Sequence, residues 1–119
     1  MTEGQKAHFA RKVVELAPTE FHHGDCVGAD ADAHRIVRSV LPECRIIGHP
    51  PSNPSNRAFC EFDEVWAEKD YSVRNRDIVD ATDELWAAPK RNVIEARSGT
   101  WSTYRYAGSI GRPRTVIER

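Results

Sequence analysis

Long apolar runs are missing from this chain. A membrane-spanning helix needs roughly 18 consecutive apolar residues, and no stretch approaches that. The polar first residues also lack the apolar core of a signal peptide. Cysteine is scarce: Cys26, Cys44 and Cys60 are odd in number and irregularly spaced, so they form neither a zinc pattern nor a disulfide framework. A reducing cytoplasm is the expected home. An excess of either charge is absent too. With a net charge of −1, no overall field draws the chain to nucleic acid or anionic lipid. Repeats, low-complexity tracts and linkers are also absent. What is present suits one soluble globular domain over residues 1–119, with 39% apolar and 29% charged residues. Such a chain buries roughly two thirds of its unfolded surface.

The apolar pattern predicts alternating helices and strands. Ala7, Ala10, Val13, Val14 and Ala17 form one stripe of a helix over 3–16, with Thr2 as a cap and Pro18 as a stop. Glu20 to His23 reads as a short strand, in which one of His22 and His23 is buried and the other faces outward. Asp30 to Leu41 is a second helix, and Cys44 to Gly48 a second strand. That order predicts an α/β fold with a mainly parallel sheet. His49 to Arg57, with three prolines, two serines and two asparagines, is a loop. Residues 58–70 fit a helix and an irregular segment equally well. A helix follows from Tyr71, then a strand over 83–88 ending at Pro89, and a polar loop from Lys90 to Arg97. A helix opened by Ser98-Gly99-Thr100 carries Trp101, Tyr104 and Ala107 on one side, and Arg114 to Ile117 is the last strand.

Two strand-to-helix junctions carry the chemistry. In Gly24-Asp25-Cys26-Val27-Gly28-Ala29-Asp30 two glycines allow a sharp turn and close approach of a ligand. The helix that follows aims its free N–H groups and positive dipole end at that turn, a geometry that attracts phosphate. An ordinary tight turn without a ligand explains the same residues. At the second junction Ser98 suits an N-cap, and the Thr100 hydroxyl can cap or donate to a phosphate. Two such turns at the carboxyl ends of neighbouring parallel strands would converge on one ligand. Arg74 opens a helix, where its charge opposes the dipole, so it either grips a phosphate or pairs with Asp77 or Asp80. Arg76 is expected in such an ion pair. Asp25 and Asp30 would repel phosphate oxygens and suit ribose hydroxyls, a basic partner or, for Asp30, the N-cap position. His23, Asp25 and Asp30 match no metal-ligand spacing, and neither metal nor cofactor is expected.

The Gly24–Asp30 segment, Arg74-Asn75, Asp83 through Pro89 and Ser98-Gly99-Thr100-Trp101 together resemble the SLOG superfamily, most of all its small stand-alone bacterial and phage proteins. That superfamily groups the Smf/DprA proteins with the LOG nucleotide hydrolases. The resemblance runs over most of the chain after residue 19 and implies a Rossmann-like three-layer domain. In the LOG branch an Arg-Lys pair opens a helix, an Asp nine residues later starts a strand, and Pro-Gly-Gly-x-Gly-Thr-x-x-Glu follows. Arg74, Asp83, Pro89 and Gly99-Thr100 match that order. Lys90 to Arg97 replaces the two glycines, and Thr103 stands where LOG enzymes have the glutamate that takes part in splitting an N-glycosidic bond. The family also opens with a strand and a glycine-serine turn ahead of the first helix, and here the helix comes first. An upstream start, a smaller sheet, or a partner chain over the bare edge would each account for that, and a homodimer or higher homo-oligomer is expected.

The resemblance implies binding of a nucleotide or nucleotide-derived ligand, signalling nucleotides included. Its phosphate would rest on Gly24, Asp25, Cys26, Val27 and Gly28 and on Ser98, Gly99 and Thr100. Arg74 would be the counter-charge, beside Asn75 and Pro89. Asp25 or Asp30 would orient a ribose, and Trp101 would line the base or sugar. No catalytic residue is assigned. Hydrolysis of a nucleoside 5′-monophosphate is the alternative, with an acid from Asp25, Asp30 or Glu95. DprA-like binding of single-stranded DNA is the third, against which the lack of a basic stripe counts.

Overall fold

The computed structural model describes residues 1–90 and 98–119 of the chain. Helix α1 (Glu3–Leu16) begins in a capping box: the Thr2 hydroxyl accepts from the Gln5 N–H while the Gln5 side chain accepts from the Thr2 N–H. Ala17, in the left-handed region at φ 47°, ends it ahead of Pro18. Strand β1 (Glu20–His23) follows, then α2 (Ala29–Val40) and β2 (Arg45–Gly48). The order and types are those the periodicity predicts, and each boundary moves by no more than a residue or so.

Residues 49–63 contain a single 3₁₀ turn, Pro54–Asn56, and lead to a two-residue strand, β3 (Glu64–Val65). The segment 58–70 is therefore not helical. Its aromatic residues serve separate neighbours: Phe62 packs on the core and against the His23 and His34 rings, while Phe59 is exposed at φ 56°. Next come α3 (Tyr71–Asp80), β4 (Leu85–Ala87), α4 (Gly99–Ser109) and β5 (Arg114–Val116). Of the expected loop from Lys90 to Arg97, all but Lys90 lies outside the described residues, as does Glu95.

The strands form two parallel sheets. One has the order β1-β2-β3 and the other pairs β4 with β5. The chain is thus an α/β domain whose parallel sheet is split in two. Phe9, Val13, Ala33, Val37, Ile46 and Ile117 form the core, drawn from α1, α2, β2 and the residue after β5. Phe9 bridges the halves, its ring edge-on to Phe21 of β1 at 5.7 Å and to Trp86 of β4 at 5.6 Å. No helix among the described residues is long and apolar enough to cross a membrane.

Candidate functional site

The first turn is built on buried polar groups. His23, at the end of β1, accepts the Asp25 N–H on Nδ1 at 3.0 Å, so its proton sits on Nε2 and points at His34 Nδ1, 2.9 Å away. Burial and the neighbouring His34 hold the His23 pKa down at about 3. His23, His34 and Cys60 bring three donor atoms within 4.8 Å of one another. They do not fit a metal, because His23 already accepts a backbone N–H on Nδ1. Coordination through Nε2 would leave an imidazolate, whereas a ligating histidine normally donates from its other nitrogen.

Asp25 is fully buried at φ 57° and faces away from the cleft. Its carboxylate accepts from Arg57 Nε at 2.8 Å and from the Cys60 N–H at 2.9 Å. The main chain continues this clasp, with Ala58 N–H donating to the Asp25 carbonyl and Val27 N–H to that of Asn56. Asp25 thus ties the long proline-rich loop to the turn and holds a basic partner, Arg57, one of the roles expected of it, while it does not line the cleft where a ribose would lie. Arg57, Cys60 and His34 are partners of the turn that sequence reading missed, since no local pattern marks a contact such as that of Arg57 with Asp25, 32 residues away.

Arg74 ties the first turn to the segment after β2. Only 4% exposed, its guanidinium donates to the Gly24 carbonyl and to the His49 carbonyl at 3.0 Å, and lies 5.0 Å over the Tyr71 ring. A Cβ at Gly24 would collide with that guanidinium, so the close approach this glycine permits is made by the protein's own arginine. Nη2 also meets Cys26 Sγ at 3.7 Å, while Nε is buried with no partner among the described residues. Among the described residues Arg76 forms no acidic pair: it lies over the Tyr106 ring, Asp77 pairs with Lys69, and Asp80 accepts the Tyr106 hydroxyl.

Gly28, at φ 96°, is the N-cap of α2 and supplies no side-chain cap, so the turn has open N–H groups and open space beside it. Asp30 is not the cap. It sits in the first turn and reaches back to accept from the Cys26 N–H at 3.1 Å. Burial raises its pKa above the usual carboxylate value, against the opposing pull of Arg74. Burial also raises the Cys26 thiol, which keeps it protonated. At the second turn Ser98 caps α4 by accepting from the Trp101 N–H, and the Gly99 and Thr100 amides have no partner among the described residues. Trp101 is 3% exposed, its indole edge-on to Tyr104, and its Nε1 has no partner among the described residues.

Both turns open onto one cleft of about 1360 Å³. Gly24, Cys26, Val27, Gly28 and Asp30 line it from one side, and Ser98, Gly99, Thr100 and Trp101 from the other. Arg74, Asn75 and Pro89 lie between them. Of the described residues proposed from sequence for ligand binding, Asp25 alone is outside it. His22 and His23 both reach the wall, and the His22 Nδ1 lies 2.9 Å from His49 Nε2. No family model, curated protein or solved structure matches this chain.

Proposed function

We propose that this cleft binds a nucleotide or nucleotide-derived ligand by its phosphate, within a SLOG-like, Rossmann-type domain. One observation carries the reading. The open starts of α2 and α4 line a common cleft, and Arg74 lines it with them. The phosphate would take the amides of Gly28 and Ala29 on one side and Gly99 and Thr100 on the other, where both helix dipoles favour negative charge. Burial raises the Asp30 pKa and so lessens its repulsion of a bound anion.

Calorimetric titration with AMP, ribose 5-phosphate and adenosine tests the reading. AMP and ribose 5-phosphate should bind, adenosine at least about tenfold more weakly, and Arg74→Lys should weaken both phosphates while the fold persists. Adenosine binding as tightly as AMP would overturn it.

Asp30 also favours a second reading, LOG-like hydrolysis of a nucleoside 5′-monophosphate. It is a cleft carboxyl with a raised pKa, the property a general acid needs, and it stands in a chain whose Thr103 replaces the family glutamate. Release of free base from AMP, abolished in Asp30→Asn, would establish it. Absence of free base after prolonged incubation would leave the binding function alone.

A further inference from the structure

A second cavity adjoins the phosphate cleft. It is a groove of about 320 Å³ between α3 and α4, and Asn75 and Thr103 line both it and the cleft. The two spaces therefore meet across one pair of side chains. Among the described residues no carboxylate lines the groove, whereas Arg76 and Arg105 both do, together with the hydroxyls of Ser72 and Ser102. Its charge is of one sign. The acids closest to Arg76 in sequence are engaged elsewhere, Asp77 with Lys69 and Asp80 with the Tyr106 hydroxyl at 2.7 Å.

Tyr106 holds Arg76 in place. Its hydroxyl donates to Asp80, which fixes the ring, and the Arg76 guanidinium lies 5.0 Å over that ring. Stacking takes up the face of a guanidinium and leaves its N–H edge for an acceptor. Among the described residues that edge meets none. Asn75, half-buried where the two spaces join, likewise makes no side-chain hydrogen bond among the described residues. A fork of donors held edge-out in a groove free of carboxylates matches the oxygens of a phosphate.

We propose that this groove takes a second phosphate of the same ligand, carried on the far side of the ribose rather than joined to the first. The inference rests on the phosphate reading of the cleft and names its ligand class, a nucleoside bisphosphate. Spacing along α4 supplies the argument. Thr100, Thr103 and Tyr106 form one i, i+3 ridge, so the ring that carries Arg76 stands six residues past the Thr100 amide. At about 1.5 Å per residue that is roughly 9 Å along the helix. Two phosphates joined directly are too short for this separation, and two held apart by a sugar match it. The ribose then lies over Asn75 and Thr103. The Asn75 amide can meet its free hydroxyl, and the Thr103 oxygen, which donates to the Gly99 carbonyl, can still accept.

Calorimetric titration of the full chain and of Arg76→Gln with AMP, ADP and the adenosine 2′,5′- and 3′,5′-bisphosphates tests this. At least one bisphosphate should bind at least about tenfold more tightly than either AMP or ADP, the gain of a charge-assisted contact. The isomer that does so identifies which ribose hydroxyl carries the second phosphate. ADP adds comparable charge, so it separates the position of that phosphate from general attraction. In Arg76→Gln the advantage should shrink to within about twofold, while AMP affinity and Tm stay as they were. Bisphosphates no tighter than ADP, an advantage that survives Arg76→Gln, or an equal loss of AMP affinity in that variant would overturn the proposal and leave the cradle standing. Failure of AMP and both bisphosphates to bind would overturn the cradle as well.

Discussion

Histidine 49 and histidine 23 set the acid behaviour of this molecule. Burial, reinforced by a neighbouring histidine in each case, lowers His23 to about 3 and His49 to about 4, from an ordinary 6.5. Both rings stay neutral in the fold and protonate freely near pH 6.5 once unfolded, so acid favours the unfolded chain. Their contribution is complete above that pH and is lost as pH falls toward 4, about 2 kcal/mol per ring at pH 5. Asp30 works in the opposite sense, its raised folded pKa costing stability as pH rises above 3.8. Urea unfolding at pH 7.5 and 5.0 should show a marked loss in acid, smaller in His49→Gln. A flat profile would mean the rings are not held neutral. Little of this was legible in the sequence. His22-His23 announces one buried ring by strand alternation, but the partners His34 and His49 lie 11 and 27 residues away. Arg74 was legible as an arginine in the wrong place for a helix dipole, whereas its bonds to two carbonyls follow only from the fold.

At the scale of elements, the two helix starts differ in a way that separates stability from binding. Gly28 holds a positive φ that an L-residue adopts only under strain, so its replacement harms the turn whatever the ligand. Gly99 has no such constraint, and a Cβ there meets nothing within 4 Å. Alanine at 99 should therefore leave stability unchanged or raise it by up to about 1 kcal/mol, yet weaken AMP at least about tenfold if the backbone contacts phosphate. Thermal unfolding and calorimetry on Gly99→Ala read both, and unchanged affinity would place the phosphate elsewhere. The helices and strands themselves were legible because their apolar residues recur at 3.6 or 2. Residues 58–70 were not, because Phe59, Phe62, Val65 and Trp66 fit a helical face by spacing, whereas Phe62 packs on His23, Trp66 on His49, Val65 pairs with Gly48 and Phe59 meets the nearby Arg57 guanidinium.

Across the whole molecule, parallel pairing followed from the alternation of helix and strand, but the split between β1 and β4 did not, because strand order is not written in local periodicity. Convergence of the two turns was expected from the rule that open α/β sheets bind at strand carboxyl ends, and both turns and Arg74 line one cleft. The most direct measurement of shared anion binding is a phosphate titration followed by amide NMR. The Gly28, Ala29, Gly99 and Thr100 amides should shift together along one saturation curve and stop shifting in Arg74→Lys. Shifts confined to one turn, or two curves with different midpoints, would contradict a single site.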